Sequence, residues 1–211
     1  MIAASALLAA EQVRTPGHFQ WPVITLLLLV LHAYVEQARA GRWSVVLGGI
    51  TFWLMDWVNE IVNGLLFHFS SFAPAWSTAG SSAYTVLIGL NVEISLMFAV
   101  MGLLALRMLP DDARQRWLGL PNRLVLAATA SVACVLVELW LHHVGALQWA
   151  WADWNADHPW LIWLLGYLPF FVAAYAVHDL NCRRRQVSIV AALATAVALA
   201  LYVFADLLAW I

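Results

Sequence analysis

The sequence predicts an all-α fold, a polytopic bundle of six transmembrane helices, and three observations lead to this prediction. Of the 211 residues, 64% are hydrophobic and only 10% are charged. Soluble domains carry about 25% charged residues, so this chain is too apolar for a soluble fold. Several apolar runs reach the roughly 20 residues that a helix needs to cross the hydrocarbon core. These runs are continuous, without the alternation in segments of about ten residues that a transmembrane β-barrel requires.

The six expected spans are separated by connections rich in charge, Gly or Pro. Residues 1–20 contain Pro16 and Gly17 and are expected to form a surface or interfacial segment. Pro159 suits the first turn of the fifth span, because proline is favoured where a helix begins. We find no internal repeat, so residues 1–211 are expected to form a single transmembrane domain. The spans are expected at residues 21–37, 44–69, 83–106, 124–144, 159–178 and 187–210, with a loop at 70–82 that contains Pro74 and Gly80.

The arginines predict the orientation of these spans. All ten basic residues are Arg; nine lie in the connections after the first, third and fifth spans, and none after the second and fourth. Positively charged loops stay on the cytoplasmic side, so both termini are expected outside. Only Arg14, which precedes the first span, lies on the side that this orientation places outside. We therefore expect a multi-pass protein of the cell inner membrane.

The second span carries the most informative stretch of the sequence. Its polar residues Asp56, Asn59, Glu60 and Asn63 are spaced i, i+3, i+4 and i+7, so they project from one helix face. An Asp at mid-membrane costs roughly 2.5–3.5 kcal/mol on insertion scales. No span contains a Lys or Arg that could neutralise it. This face is therefore expected to contact protein, water or a substrate.

Other spans place polar residues at the same expected depth. Asn91 and Glu93 lie in the third span, Glu138 and His142 in the fourth, and Asp206 near the end of the sixth. At 1.5 Å per residue these groups share an outer slab about 10–15 Å thick. We therefore expect a pocket in the outer half of the membrane.

Structural roles compete with this interpretation. Polar side chains also join membrane helices through hydrogen bonds, and His142 would then only cap its span at the water interface. Most of the 13 tryptophans fit an aromatic belt at the membrane surface. Some of them, with Trp57 and Trp140 as candidates, could instead contact a substrate or stabilise a cation.

With a Glu in the second span and an Asp in the last, the chain resembles the small integral-membrane terpene cyclases of meroterpenoid pathways. The matching positions are Glu60 and Asp206, in the run Phe204-Ala205-Asp206. The resemblance implies that these two residues act as acids that protonate an epoxide or olefin and start cyclisation of a prenyl chain. The family usually has Trp directly before the Glu, where this chain has Asn59.

The lead hypothesis is a membrane enzyme that acts on a lipid or isoprenoid substrate by carboxylic-acid-initiated chemistry, without a cofactor. Such a reaction needs an acid that still holds its proton. Glu60 would be this acid, with Asp56 and Asp206 as supporting carboxyls. A net charge of −2 predicts no nucleic-acid partner. The sequence does not decide whether the protein forms a homo-oligomer. The expected substrate contacts are Asn59, Asn63, Asn91, Glu93, Trp57 and Trp140.

Two alternatives remain. A metal-dependent membrane oxidoreductase would hold Fe, Cu or Zn with Glu60, Glu93, Glu138 and His142, since carboxylate and imidazole groups are common ligands of these metals. A proton-coupled transporter or an accessory subunit of a membrane complex would also explain intramembrane carboxylates. The missing repeat counts against transport, because transporters are commonly built from repeats.

Overall fold

A computed structural model describes residues 2–15, 17, 19–78 and 84–211 of the chain. Pro16 of the expected surface segment, and Gly80 of the expected 70–82 loop, lie outside the described residues. Within the described residues the fold is a helical bundle with short two-stranded pairings in its connections. The seven helices there are α1 (Ala4–Gln12), α2 (Pro22–Arg39), α3 (Trp43–Ser70), α4 (Val92–Arg107), α5 (Asn122–His143), α6 (Pro159–His178) and α7 (Arg183–Leu207).

Helix α3 is the centre of the bundle. Its 28 residues pack against α2, α4, α6 and α7. Phe52 on α3 is fully buried, and its ring meets Phe170 and Phe171 of α6 edge-on, with centroids 5.6 and 4.8 Å away. The ring also stacks on Phe98 of α4 at 6.1 Å. This aromatic cluster therefore packs α3, α4 and α6 against one another.

Four helices of the described chain are long and apolar enough to cross a membrane, namely α3, α5, α6 and α7. In length and composition these helices fit the predicted helical membrane protein. Helix α4 has 16 residues, or about 24 Å at 1.5 Å per residue, against a hydrocarbon core of about 30 Å. Helix α2 has 18 residues and ends in the polar run Glu36-Gln37-Ala38-Arg39. Spans formed by these two helices therefore stay a prediction.

Two helices contain a π-helical segment, where each turn holds more residues than an α-helical turn. The segments are Ile162–Tyr167 in α6 and Tyr202–Leu207 in α7. Pro169 follows the first segment closely. Proline lacks an N–H and its ring interferes with the carbonyl four residues earlier, which disturbs the α-helical ladder at this place.

The loops at one end of the bundle form a cover. Strand β1 (Ser77–Thr78) pairs antiparallel with β6 (Leu147–Gln148), joining the connection after α3 to the connection after α5. Helix α1 lies at the same end, since the Arg14 amide donates to the carbonyl of Thr85 at 2.8 Å. The other pairings are β2 (Thr85–Leu87) with β3 (Leu90–Asn91), and β4 (Arg116–Trp117) with β5 (Leu120–Pro121).

The opposite end of the bundle carries the arginines of the α2–α3, α4–α5 and α6–α7 connections. Arg123 donates to both carboxylate oxygens of Asp179, at 2.8 and 3.0 Å. Partial burial opposes ionisation of Asp179, but hydrogen bonds and charge from Arg123 and His178 outweigh it and lower the pKa of this carboxyl. The ion pair therefore joins α5 to α6 at neutral pH.

Glycines let α3 and α4 approach closely, as small residues commonly do in membrane helix pairs. A Cβ atom at Gly102 would lie 2.8 Å from the Cβ of Phe52 and 2.9 Å from the carbonyl oxygen of Gly49. A side chain at this position would therefore push against backbone atoms that cannot move independently of the helix.

We predict that Gly102→Ala destabilises the protein by about 1–3 kcal/mol, because overpacking forces the two helices apart. At about 2–4 °C for each kcal/mol, the thermal midpoint in detergent should fall by several degrees. Gly166→Ala is the control, since its Cβ would meet nothing nearer than 3.5 Å. Equal midpoints for the two variants would contradict the close approach.

Candidate functional site

A narrow cavity lies between α3, α4, α5 and α6, beneath the loop cover. Its volume is about 70 Å³, which is enough for a few water molecules, since one needs roughly 10–15 Å³. Ile94, Met97 and Phe98 of α4 form an apolar side of the wall. The polar part of the wall contains the carboxyl residues Asp56, Glu60 and Glu138 and the aromatic residues Trp76, Trp154 and Tyr167.

Three carboxyl groups from two helices meet at this cavity. Asp56 and Glu60 lie one turn apart on α3, and each is 3% exposed; Glu138 on α5 is 6% exposed. In the described part of the chain, none of the three forms an ion pair. Buried carboxylates without a cation are costly, so this grouping calls for a functional explanation.

Tryptophan N–H groups hold two of these carboxyls in place. The indole of Trp76 donates to Oε1 of Glu60 at 2.7 Å, and the indole of Trp149 donates to Oε1 of Glu138 at 3.1 Å. Trp149 also stacks on His142, with ring centroids 4.1 Å apart. Each carboxyl therefore keeps a fixed orientation while one of its oxygens is not used by these bonds.

Three buried polar atoms of the cavity wall lack a hydrogen bond of acceptable geometry within the described residues. They are Oδ2 of Asp56, Oε2 of Glu60 and Nε1 of Trp154. Buried polar groups are nearly always satisfied in folded proteins. Two carboxyl oxygens and one N–H donor around one small space therefore mark a binding place for water or for the polar group of a ligand.

Gly89 gives the Glu60–Trp76 pair the space that it needs. A Cβ atom at this position would lie 2.5 Å from Nε1 of Trp76 and 2.6 Å from Oε2 of Glu60. Real Cβ atoms essentially never approach so closely, so any side chain here would displace the indole or the carboxyl.

Asn63 positions the loop that carries Trp76. Its amide nitrogen donates to the carbonyl of Trp76 at 2.8 Å, and its amide oxygen accepts from the backbone N–H of Ala75 at 2.7 Å. Asn63 is fully buried and does not line the cavity. Asn63, which was expected to contact a substrate, instead holds the loop that carries Trp76 in position.

The other expected substrate contacts divide between the cavity and its surroundings. Asn59 lines the cavity and donates to the carbonyl of Gly166 at 3.1 Å. Asn91 caps α4, because its side-chain oxygen accepts from the N–H of Ile94 at 2.8 Å. Glu93 lies in the first turn of α4. The helix dipole stabilises a negatively charged carboxylate at this end of a helix. Trp57 packs edge-on against Trp53, outside the wall.

The structure does not bring Asp206 or Trp140 to this cavity. Asp206 is exposed in the π-helical segment of α7, where its neighbour Ala205 is the buried residue. Trp140 is exposed on the outer side of α5. The two residues face away because they occupy the other sides of their helices.

The set considered for a metal is likewise only partly assembled. Glu60 and Glu138 share the cavity, whereas Glu93 does not line it, and Nδ1 of His142 lies 3.1 Å from the carbonyl of Leu147. Across residues 2–15, 17, 19–78 and 84–211, no group of three or more His, Cys, Asp or Glu side chains could hold a metal ion.

Sequence reasoning missed the aromatic residues that complete the site. Trp149 and Trp154 belong to the connection between α5 and α6, which also contains Trp151, and most tryptophans were expected to form an aromatic belt. Tyr167, Trp76 and Gly89 reach the site through packing of α6 and of the loop after α3, which no local pattern encodes. The usable signal was the concentration of tryptophan in a loop expected to lie above the carboxyls.

Fold and site together define a helical membrane protein with a cluster of buried acids. The chain belongs to a family described as an uncharacterized membrane protein family, which it matches over residues 3–206.

Two proteins of Archaeoglobus fulgidus are similar to this chain. One, named "Uncharacterized protein", is 44% identical over 198 residues, covering 94% of each chain. Another of the same name is 43% identical over 53 residues, covering 25% of this chain and 95% of its own. No solved structure matches the chain. The first of these relatives is similar over nearly the whole length of the protein.

We predict that Asn63→Ala loosens the loop after α3. Loss of a buried group that bonds both Ala75 and Trp76 should cost about 1–3 kcal/mol and make residues 71–78 accessible to protease. Thermal midpoint and limited proteolysis measure the two effects. Asn181→Ala, an exposed substitution at the other end of the bundle, is the control. Unchanged proteolysis of the Asn63 variant would rule out this anchoring role.

Proposed function

We propose that this protein is a membrane enzyme that transfers a proton to a lipid-soluble substrate, such as an isoprenoid, inside the carboxyl cavity. The observation that carries the proposal is the set of three buried carboxyl groups without a cation, two of which, Asp56 and Glu60, keep an oxygen without a hydrogen bond of good geometry beside one small space. A packing role would satisfy these atoms within the protein. Proton transfer requires that they stay available to a substrate.

Glu60 is the proposed acid. Its neighbour Asp56 lies one turn away in an environment without a cation, where two adjacent carboxyls are more stable with a shared proton than with two negative charges. The bond from Trp76 fixes one oxygen of Glu60, and the other lies beside the backbone of Gly89 on the cavity wall. The acid is therefore oriented before a substrate arrives.

Glu138 is the proposed base on the opposite helix. After Glu60 donates its proton to a carbon–carbon double bond, which forms a new C–H bond, the positive charge lies among the rings of Trp76, Trp154 and Tyr167. Faces of aromatic rings stabilise cations in such a place. Glu138 then removes a different proton, so cyclisation or isomerisation conserves all atoms.

The terpene-cyclase resemblance contributes the type of chemistry to this proposal, with one change of residues. Of the two acids that the resemblance implies, Glu60 lines the cavity and Asp206 lies outside the cavity. We therefore assign the supporting roles to Asp56 and Glu138. The family description and the names of the relatives carry no activity, so this assignment rests on geometry alone.

We propose that the substrate enters sideways from the lipid, between α4 and α5. Met97 belongs to the cavity wall and is also 46% exposed on the outside of α4. Helix α5 packs mainly against α6. It touches α4 where Sγ of Cys134 lies 3.6 Å from Sδ of Met101, so the proposed entry lies one turn nearer the loop cover, at Met97. The loop cover blocks the end of the bundle, where Trp151 donates to the carbonyl of Ala73 at 2.8 Å. A cavity of about 70 Å³ accommodates only the reacting end of a long chain.

The finer membrane placement also belongs to the proposal. We propose six spans, with α2 and α4 completing the four apolar helices, both termini outside, and the carboxyl cavity in the outer half of an inner membrane. The separation of the arginine-rich connections from the loop cover supports this orientation.

We predict that Glu60→Gln lowers turnover at least about 100-fold, because an amide of the same shape cannot donate the acid proton. Purified protein is incubated in deuterated water with a lipid extract of the native host, and chromatography with mass spectrometry detects products that carry deuterium on carbon. Asp56→Asn should also lose most activity.

Glu93→Gln is the matched control, since it removes a carboxyl of the same type outside the cavity. Deuterated product formed equally by the Glu60 and Glu93 variants would end the proposal, as would the lack of any deuterated product with the unmodified protein.

We predict that Met97→Trp slows the reaction by closing the lateral opening, while the fold stays intact. Leu104→Trp on the same helix is the control, because Leu104 is 54% exposed and lies away from the cavity. A large fall in turnover at low substrate concentration is expected for the Met97 variant alone. Equal activity of the two variants would contradict entry at this place.

A further inference from the structure

A second, larger cavity lies at the opposite end of the bundle, among the arginine-rich connections. Its volume is about 570 Å³. Arg42, Arg107 and Arg123 line it, and they come from the α2–α3 connection, the end of α4 and the first turn of α5. Three separate parts of the chain thus direct cationic side chains to one space, although the positive-inside rule needs them only on one side of the membrane.

One of these arginines is fully engaged and shapes the cavity. Arg123 binds both oxygens of Asp179, and its third bond goes to the carbonyl of Pro110 at 2.9 Å. His178 also contacts Asp179, with Nδ1 2.9 Å from the carboxylate. Arg123 and Asp179 therefore neutralise each other and hold the α4–α5 connection over the cavity.

The other two arginines are not neutralised. The hydrogen bond that Arg42 donates goes to the neutral side chain of Gln37, at a long 3.4 Å. Arg107 has no hydrogen bond or ion pair within the described residues. Asp111 is the remaining carboxylate on the wall. Two guanidinium groups thus face one unpaired carboxylate, which leaves a positive excess.

The floor of the cavity is apolar. Val45 and Leu106 are buried there and belong to the central hydrophobic cluster. Leu109 and Leu180 on the wall are only partly buried, and a small inorganic ion would leave them exposed to water. A ligand with an anionic head and an apolar part would cover both surfaces.

We infer that this cavity binds the phosphate group of an anionic ligand through Arg42 and Arg107. One guanidinium group can donate two parallel hydrogen bonds to two oxygens of a phosphate. Such charge-assisted hydrogen bonds are about twice as strong as neutral ones. The phosphate belongs either to a lipid headgroup or to a soluble molecule, and the two sources share this chemistry. The inference does not depend on the reaction proposed for the carboxyl cavity.

The test compares two double variants of the full chain in nanodiscs. Arg42→Gln with Arg107→Gln removes the proposed ligands. Arg184→Gln with Arg185→Gln removes the same charge from exposed arginines at the same end, outside the cavity. Binding is measured by native mass spectrometry with phosphatidylglycerol, phosphatidylcholine and inorganic phosphate as separate probes.

We expect the first double variant to lose at least about tenfold in affinity for phosphatidylglycerol, and the second to retain it. Competition by inorganic phosphate would assign the site to soluble phosphates, and lack of competition to lipid headgroups. Equal losses in both variants, or no preference of the unmodified protein for a phosphate-bearing anion over phosphatidylcholine, would overturn the inference.

Folding is checked by circular dichroism and gel filtration. If the glutamine variant misfolds, Arg42→Lys with Arg107→Lys keeps the charge and removes the forked geometry. An intermediate loss of phosphatidylglycerol affinity would then support the inference, and unchanged affinity would overturn it.

Discussion

The hydrogen bond between Trp76 and Glu60 is the contact on which the arrangement of the carboxyl cavity depends. It fixes an acid that has no cation to pair with, and it needs support from both sides. Asn63 holds the loop that supplies the indole, and Gly89 leaves space where a side chain would collide. Phe52, on the same helix as Glu60, anchors α3 in the aromatic cluster. Acid, loop and core thus form one connected unit.

The helical membrane fold and the shared face of Asp56 and Glu60, two of the three clustered carboxyls, could be predicted from sequence, for a physical reason. Apolar composition and the spacing of Asp56 and Glu60 are local properties, and helix geometry converts them directly into a polar face. The positions of Trp76 and Gly89 depend on how a loop folds back over α3, which no periodicity records. Asp206 has the right residue type and depth, but its orientation depends on the irregular end of α7.

The two cavities divide the molecule by charge. Unpaired carboxyls gather under the loop cover, and unneutralised guanidinium groups gather at the arginine end, with the aromatic cluster around Phe52 between them. Because they lie at opposite ends, the three buried carboxyls cannot pair with Arg42 or Arg107, whereas Arg123 and Asp179 lie at the same end and do pair. Each end therefore retains unpaired groups that are available to bind a ligand.

The π-helical segment Ile162–Tyr167 has a consequence for the geometry of the site. Such a segment corresponds to one residue added to a regular helix, and these insertions are frequent at functional sites. The Gly166 carbonyl in this segment accepts a hydrogen bond from the Asn59 amide. Removal of one residue here would restore the regular ladder and rotate the preceding turns by about 100° relative to Pro169. A chain shorter by one residue here would therefore present a different face of α6 to the acids.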